Sequence, residues 1–315
     1  MRSTSGAPLT RLGFDVGGTK ILGVATSDGD AAAQTLREVT PAGADNLVDT
    51  LVAMAHELAP ATEPVTIGVG MAGLISTAGV VTVSPNLVGV DGATIGADLS
   101  AALGMPVSFD NEVNCAARWE LQFGAAQGIR HGVMVAVGTG IGGAFMVDGE
   151  VLRGASGLAG EPGHMIVEAG GRVCPCGRRG CWEMYASGSA LDRLAVERLG
   201  PGITGPDVTA AASVGDVGAQ AVLHEFSHWL ALGISNLCVL TDPEMVVIGG
   251  GISEDWDLLA GPVDEHLGEM LIGRTAESRP AVVRSEAGEL SAALGAALGG
   301  AEGDSAAFGN PAEVA

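Results

Sequence analysis

The feature that most constrains the fold of this chain is a short pattern that occurs twice, an apolar, β-rich run with a glycine cluster inside it. Residues 12–25 contain the cluster Gly17-Gly18-Thr19, and residues 132–147 contain a second cluster at 138–143. Each copy predicts a strand, a tight turn and another strand, because glycine allows the close turn that joins paired strands. Two copies in a chain of 315 residues predict a duplicated α/β fold with two lobes.

The rest of the chain alternates helical and strand patterns around these copies. Helical spacing predicts helices at 45–58, 99–103, 114–123 and 290–298 and over most of 189–237, and apolar runs predict strands at 65–69, 80–83, 106–109 and 245–248. We expect a small lobe over 12–115, completed by a C-terminal helix within 289–300, and a large lobe over 116–288. Residues 1–11 and 301–315 are predicted to be a flexible leader and a flexible tail.

Composition excludes several classes of partner. The net charge of −22 opposes binding to nucleic acid or to an anionic membrane surface. No apolar run approaches the roughly 18 residues of a membrane-spanning helix, and the first residues lack the apolar segment of a signal peptide. Five cysteines, three of them within 174–181, do not form the pattern of a disulfide framework. These features favour a cytoplasmic location, where thiols stay reduced.

The first glycine cluster belongs to the run Asp15-Val-Gly-Gly-Thr-Lys20, which has the composition of a phosphate-binding turn. Glycines let main-chain N–H groups approach an oxyanion, Thr19 adds a hydroxyl donor, and Lys20, the only lysine in the chain, adds a positive charge. Asp15 can hold Mg²⁺ through water. The run lacks the ending of a Walker loop. The alternative interpretation is a hairpin turn that needs glycine for its shape alone.

The second cluster, Gly138-Thr-Gly-Ile-Gly-Gly143, matches the G-x-G-x-x-G pattern of dinucleotide-binding proteins. That pattern requires a helix directly after the glycines, whereas residues 144–149 predict a strand and a turn. Two strand–turn–strand units that face each other across a cleft, one for each end of a triphosphate, explain both clusters. The sequence therefore predicts a nucleotide in the cleft between the lobes.

One histidine and three cysteines have the spacing of a metal site. His164, Cys174, Cys176 and Cys181 form the pattern His-x9-Cys-x-Cys-x4-Cys. An imidazole and three thiolates make a closed tetrahedral set, which is typical of structural zinc and not of a catalytic site with an open position. A chance cluster of buried thiols is the alternative.

A separate motif, His224-Glu-Phe-Ser-His228, matches the zinc-protease pattern HExxH. Both histidines would share one face of a helix. No third ligand and no substrate cleft are identifiable downstream, and Trp229 and Leu230 follow directly. We therefore interpret the segment as a packing or surface element.

Taken together, these motifs resemble those of the ROK family of bacterial sugar kinases and repressors, and within it the glucokinases of actinobacteria. The resemblance extends from about residue 12 to about residue 298 and rests on DVGGTK at 15–20, SPNL at 84–87, GTGIGG at 138–143, EPGH at 161–164, CPCGRRGCWE at 174–183 and GGGI at 249–252. It implies the actin-like (ribonuclease H-like) two-lobed kinase fold with ATP in the cleft between the lobes.

The resemblance also implies a set of site residues. Contacts to the nucleotide are assigned to Asp15, Gly17, Gly18, Thr19, Lys20, Gly138, Thr139, Gly140, Gly250 and Gly251. Sugar contacts are assigned to Gly73, Asn86, Asn111, Glu161, His164 and Glu183, and structural Zn²⁺ to His164, Cys174, Cys176 and Cys181. In this assignment zinc fixes the ring orientation of His164 for the sugar.

Two positions depart from the family pattern. The family's base is an aspartate in an Asn-Asp-x-Asn motif, and the matching run here is Asn111-Glu112-Val-Asn114. We therefore assign the catalytic base to Glu112, whose carboxylate lies one methylene further out. Its neighbour Asp110 is expected to point to the other side of an extended strand. Val90 stands where many glucokinases of the family carry tryptophan, which leaves the preferred sugar open.

The sequence thus predicts in-line phosphoryl transfer from ATP, with Mg²⁺, to the 6-hydroxyl group of a hexose. Glucose is the first choice, and other hexoses or N-acetyl sugars are alternatives. The rival is a sugar sensor without catalysis, since Glu112 replaces the usual base. Asp15 comes so early that no room is expected for an N-terminal DNA-binding domain, and a pure sensor has no use for the ATP motifs. The resemblance favours a homodimer or homotetramer.

Overall fold

The computed structural model describes residues 10–59 and 65–299, so the predicted tail and all but the last two residues of the predicted leader lie outside the described residues. The chain divides into two compact units. Unit 1 comprises Met1–Phe123, Arg153–Ala159 and Leu290–Ala315, and unit 2 comprises Gly124–Leu152 and Gly160–Glu289. The expected lobe boundary after residue 115 falls inside a helix, Glu112–Gln122, all of which belongs to unit 1.

Both parts of the chain begin with three consecutive strands and continue with helices and further strands. The first part of the chain forms β1 (Thr10–Val16), β2 (Lys20–Thr26), β3 (Gln34–Val39), α1 (Ala44–Leu58), β4 (Val65–Met71), β5 (Leu74–Ile75), β6 (Val81–Val83), α2 (Ile95–Leu103), β7 (Val107–Asn111) and α3 (Glu112–Gln122). The second part forms β8 (Gly132–Val137), β9 (Ile141–Val147), β10 (Glu150–Val151), α4 (Glu183–Ala186), α5 (Gly188–Leu199), α6 (Gly205–Ser213), α7 (Val217–Thr241), β11 (Met245–Gly249), α8 (Trp256–Met270) and β12 (Ala281–Arg284). Helix α9 (Ser291–Gly299) then returns to unit 1.

The two main sheets have the same strand order. In unit 1 the order is β3-β2-β1-β4-β7, and in unit 2 it is β10-β9-β8-β11-β12. In each sheet the three strands that come first in the sequence are antiparallel neighbours. The other two strands are parallel to the earliest strand and lie on its other side. The duplicated α/β fold that the two glycine clusters predicted is therefore confirmed.

Each unit has its own hydrophobic core. In unit 1, strand residues such as Leu12 and Phe14 pack with Leu47 and Leu51 of α1. In unit 2, the strands β8 and β11 are covered by buried residues of the long helix α7, among them Phe226. Burial of apolar area in two separate cores is the main stabilising contribution in each unit.

Helix α9 was predicted to complete the small N-terminal lobe. It lies very close to the sheet of unit 1. A Cβ atom placed on Gly13 of β1 would lie 1.8 Å from the main-chain oxygen of Ala293, and one on Gly68 of β4 would lie 1.8 Å from that of Ala296. On another side, a Cβ atom on Gly295 would lie 1.7 Å from the main-chain oxygen of Cys115 in α3. Glycine at these positions permits the contact, since any side chain would push the helix away.

Some elements differ from the prediction. Strand β3 and helix α8 were not predicted, because the side chains of β3 are mostly exposed and α8 carries Pro262 in its interior. Helix α3 begins at Glu112, two residues earlier than expected. None of the helices in the described ranges combines the length and the apolarity that a membrane crossing needs.

Candidate functional site

The first glycine turn joins β1 to β2 and leaves its tip exposed. The main-chain nitrogen of Gly17 donates to the oxygen of Lys20 at 3.0 Å, which closes the turn. Thr40 holds it further, since its Oγ1 donates to the oxygen of Gly17 at 2.7 Å and its main-chain nitrogen donates to Thr19. Gly18, Thr19 and Lys20 are exposed. The turn is therefore fixed in shape while its main-chain and side-chain donors remain accessible to an anion.

Asn86 lies directly against this turn. A Cβ atom placed on Gly18 would lie 2.7 Å from the main-chain oxygen of Asn86 and 2.9 Å from its Cβ. Asp15, near the end of β1, is half-buried. Unit 1 therefore brings a predicted sugar residue next to the predicted phosphate turn.

Asn111 and Glu112 lie where β7 ends and α3 begins. Asn111 caps the helix, because its Oδ1 accepts from the main-chain nitrogens of Val113 at 2.7 Å and Asn114 at 3.3 Å. Its Nδ2 donates to the main-chain oxygen of Gly73 at 3.1 Å and to Oε2 of Glu112 at 2.9 Å. One asparagine thus brings three predicted site residues together and holds the Glu112 carboxylate at the helix N-terminus, which favours negative charge.

Asp110 turns to a different set of partners, as expected of a neighbour in an extended strand. It is buried, and its Oδ1 accepts from the main-chain nitrogen of Asn111 at 2.8 Å and from Nδ2 of Asn114 at 3.0 Å. Its Oδ2 lies 3.1 Å from Nη2 of Arg118, and its Oδ1 lies 3.5 Å from Nη2 of Arg153. This network was not foreseen, because nothing in the local sequence links Arg153 to a position so far along the chain.

The Cys/His set of unit 2 has its donor atoms gathered at one point. One atom from each of His164, Cys174, Cys176 and Cys181 lies within 4.8 Å of all the others. The Cys176 and Cys181 sulfurs are 3.6 Å apart, and the Cys174 sulfur is 3.9 Å from Nδ1 of His164. Sulfur ligands at about 2.3 Å from a tetrahedral metal ion are separated by about 3.8 Å, so the four residues fit such an ion.

The loop that carries these cysteines is tightly packed and anchored to the core. A Cβ atom on Gly180, whose φ is +82°, would lie 1.8 Å from the main-chain oxygen of Glu168. Trp182 is fully buried, and its Nε1 donates to the main-chain oxygen of Trp229 in α7 at 2.8 Å. Its ring lies against Gly233, where an added Cβ would lie 1.9 Å from the nearest ring atom. Trp182, between Cys181 and Glu183, therefore anchors the loop to α7.

The thiols of the set differ in their tendency to ionise. Burial, and then a hydrogen bond to Glu183, raise the pKa of the Cys174 thiol well above its usual range. For Cys176, burial acts in the same direction, but hydrogen bonds from the main chain of Arg178, from Cys174 and from the Arg178 side chain prevail and lower its pKa to about 7. A bound metal ion requires thiolates, so its binding would displace the proton on Cys174.

The Glu183 carboxylate lies beside the imidazole of this set, and its charge acts on a second carboxyl group, that of Glu161. Oε1 of Glu183 is 3.4 Å from Nδ1 of His164 and accepts from the Cys174 sulfur at 2.9 Å. Burial, and then the nearby charge of Glu183, raise the pKa of Glu161 to about 7. The main-chain nitrogen of His164 also donates to the oxygen of Glu161 at 3.2 Å. Unit 2 therefore brings together the three sugar residues predicted in it.

The second glycine turn joins β8 to β9 and lies close to the Glu183 carboxylate. The main-chain nitrogen of Gly138 donates to the oxygen of Gly140 at 3.0 Å, and that of Gly188, at the start of α5, donates to Gly138 at 2.7 Å. A Cβ atom on Gly140 would lie 2.8 Å from Oε2 of Glu183. Strand β9 and not a helix follows the glycines, so the turn lacks the helix that a dinucleotide fingerprint requires.

The remaining predicted nucleotide residues are also in unit 2. Thr139 is exposed at the tip of the second turn. Gly250 has a φ of +75°, and an added Cβ would lie 2.5 Å from the main-chain oxygen of Val137 at the end of β8. Gly251 is exposed, with open space where a Cβ would be. The glycines after β11 therefore pack beside the strand that leads into the second turn.

Comparison with known proteins gives a consistent result. The model of the ROK family matches residues 11–299. The glucokinase of Streptomyces coelicolor is 32% identical over 305 residues, which cover 91% of this chain and 96% of that protein. The xylose repressor of Bacillus subtilis is 28% identical and covers 90% of this chain and 75% of the repressor.

A solved structure shows the same fold. The crystal structure of a ROK family glucokinase from Streptomyces griseus, in complex with glucose and AMPPNP, is similar with a TM-score of 0.84 and 31% identity. The similarity covers 93% of this chain and 100% of that one. With the repeated sheet order, this confirms the actin-like α/β fold.

Proposed function

The chain belongs to the ROK family, and from this membership we propose that it transfers the γ-phosphoryl group of ATP to the 6-hydroxyl group of a hexose, with glucose as the first choice. The observation that carries the proposal is the Glu112 carboxylate, held 2.9 Å from Nδ2 of Asn111 at the start of α3. It lies in the same unit as the exposed glycine turn after β1. The likeness to a glucokinase crystallised with glucose and AMPPNP supports it.

The reaction needs a group that accepts the proton of the attacking hydroxyl. Glu112 has this role in the proposal, because Asn111 orients its carboxylate and the helix N-terminus favours its charge. Asp110 is unsuitable, since its oxygens already accept from Asn114 and Arg118 inside the unit. Such general-base assistance is worth about 10² to 10⁴ in rate.

Each glycine turn has the features of a phosphate-binding turn. The first offers the exposed main chain of Gly18, the Thr19 hydroxyl and the Lys20 ammonium group. At the second, a Cβ placed on Gly138 would meet no atom within 4 Å, so the main chain there is open to a ligand. Asp15 would hold Mg²⁺ through water, and the ion would supply positive charge that offsets the charge of the phosphates.

We also assign Zn²⁺ to the set His164, Cys174, Cys176 and Cys181. The separations of the donor atoms match a tetrahedral ion, and three thiolates with one imidazole are ligands that zinc prefers. When bound, zinc supplies a structural cross-link for the loop. His164 directs Nδ1 towards the cysteines, so Nε2 is the nitrogen that can bond to a sugar hydroxyl, with Glu161 and Glu183 as neighbouring acceptors.

A sugar sensor without catalysis is the rival function. Two observations favour it: glutamate stands at the position of the family's aspartate, and a xylose repressor is among the relatives. Against it, the exposed turn with Thr19 and Lys20 keeps donors that a sensor of free sugar does not need.

The test is an ADP-release assay with ATP and Mg²⁺ over a panel of glucose, mannose, N-acetylglucosamine, N-acetylmannosamine and xylose. We expect turnover with the highest kcat/KM for glucose. A higher value for an N-acetyl sugar would keep the kinase and overturn the choice of glucose. Sugar binding by calorimetry without turnover on any sugar would establish the sensor instead.

A further inference from the structure

The HExxH segment, which we interpreted from the sequence as a packing or surface element, lies beside a third histidine in the structure. His224 and His228 are exposed and stand four residues apart in α7, so they share one face of the helix. His266 of α8 lies against both of them and is mostly buried. Its ring centroid is 4.5 Å from that of His224 and 5.2 Å from that of His228. Half of the six histidines of the chain therefore lie at one place, where His266 contacts the other two.

The spacing of the rings suits a shared metal ion. An imidazole nitrogen binds zinc at about 2.0–2.1 Å, and the ring centre lies about 1 Å further, so the centroids of two imidazoles on one tetrahedral ion are about 5 Å apart. The two observed separations, 4.5 and 5.2 Å, are close to this value. The rings now meet edge to face, so binding requires rotation of the exposed His224 and His228 side chains.

His266 has a hydrogen-bond partner of the kind that metal-binding histidines use. Its Nε2 lies 3.3 Å from the main-chain oxygen of His224. A ring that donates its Nε2 proton to a carbonyl group keeps Nδ1 unprotonated, and metal-bound histidines usually have such a partner on the other nitrogen.

The surrounding carboxylates favour a cation but not hydrolysis. Oε2 of Glu265 lies 3.8 Å from Nε2 of His224 and is a further oxygen donor. Glu225, the residue that would be the base of a zinc protease, forms a double hydrogen bond with Arg198 at 2.7 and 2.8 Å. It is therefore committed to the neighbouring helix, and the site binds without the group that protease chemistry needs.

We propose that His224, His228 and His266 form a second, surface metal site, separate from the Cys/His set, that takes a divalent transition metal with a preference for imidazole, such as Ni²⁺, Cu²⁺ or Zn²⁺. Three imidazoles and a nearby carboxylate are the donor set that these ions share. The site involves neither the glycine turns nor Glu112, so it goes beyond the proposed kinase reaction.

The test is a calorimetric titration of the full chain, purified with zinc and dialysed, with Ni²⁺ as the probe. Wild type and variants retain the Cys/His set, so a difference between them reports the histidine site. We expect His224→Gln, His228→Gln and His266→Gln each to weaken the binding of one Ni²⁺ at least about tenfold, because even a change in a ligand's hydrogen-bond partner has an effect of that size. His131→Gln, which removes a histidine outside the cluster, should bind as wild type does.

Two outcomes would overturn the proposal. Equal Ni²⁺ affinity in wild type and His228→Gln would mean that no site exists at this face. Loss in His224→Gln and His228→Gln but not in His266→Gln would reduce the site to a two-histidine chelate on α7. His224 and His228 are exposed, so their replacement leaves the core intact. The comparison of wild type with His228→Gln therefore does not depend on the more buried His266.

Discussion

At the scale of single residues, Asn111 determines the geometry of the candidate base. It ends β7, caps α3 and donates to the Glu112 carboxylate and to Gly73. Asp110 supports this arrangement from the buried side, because it accepts from the main-chain nitrogen of Asn111 and pairs with Arg118. The additional methylene of Glu112, compared with the family's aspartate, is therefore accommodated at a helix start whose position is fixed by other residues.

Asp110→Asn should lower the stability of unit 1. The variant keeps an acceptor for Asn111 but places an uncharged amide beside Arg118 and Arg153, which are partly exposed. We expect a loss of about 2–3 kcal/mol in the free energy of unfolding, below the value for a fully buried pair. Urea unfolding measures it. Asp49→Asn, an exposed position of α1 in the same unit, is the control and should change stability by less than about 0.5 kcal/mol. Equal free energies of unfolding in the two variants would mean that Asp110 does not stabilise the start of α3.

Substitutions in the second glycine turn should separate nucleotide from sugar binding. A side chain at Gly138 enters open space, so Gly138→Val should weaken ATP binding at least about tenfold, by blocking close approach of the main chain, and leave sugar affinity unchanged. A side chain at Gly140 meets Oε2 of Glu183, so Gly140→Val should weaken both. Calorimetry with each ligand gives the four affinities. Unchanged ATP affinity in Gly138→Val would show that this turn does not hold the phosphates.

At the scale of elements, the cysteine loop connects the metal set to the core of unit 2. Cys181, Trp182 and Glu183 follow one another, and they serve the metal set, the packing on α7 and the carboxylate cluster in turn. Because Trp182 is fixed against Gly233, the positions of its two neighbours are fixed as well. Loss of the metal is therefore expected to act on the rest of the loop, including His164.

Cys176→Ala should release zinc and weaken sugar binding. This residue is the exposed cysteine of the set, so its replacement makes no cavity in the core. We expect about one zinc per chain in wild type and much less in the variant, and a loss of hexose affinity in parallel, since the loop with His164 and Glu183 loosens. Mass spectrometry measures the zinc content, and calorimetry measures the hexose affinity. Cys238→Ala, a buried cysteine of α7 outside the set, should retain the zinc, and a zinc-free wild type would contradict the assignment.

The elements that carry the motifs could be predicted from the sequence, and the contacts among them only in part. Apolar runs interrupted by glycine gave β1, β2, β8 and β9, because strand pairing and turn formation are local properties. The Cys/His set was recognisable from spacing, since its members lie close in sequence. Arg153, in contrast, reaches Asp110 through the folding of distant segments, and His266 reaches α7 in the same way. Such pairings depend on tertiary packing, which no local pattern encodes.

At the scale of the whole molecule, the chain repeats one sheet design in two units with separate cores. Each unit has an exposed glycine turn between its first two strands and a set of polar side chains that were predicted as site residues. In unit 1 these include Glu112 and Asn111, and in unit 2 they include His164 and Glu183. The central claim of the proposed function is the transfer of phosphate to a hexose 6-hydroxyl group.

The measurement that tests this claim most directly is the product formed from glucose, ATP and Mg²⁺, with glucose 6-phosphate and ADP quantified together in wild type and in Glu112→Gln. We predict equal amounts of the two products in wild type. The variant, which keeps the size of the side chain but cannot accept a proton, should lose about a hundredfold or more in kcat while glucose and ATP still bind. Near-normal turnover in Glu112→Gln, or ADP without a phosphorylated sugar in wild type, would contradict the account.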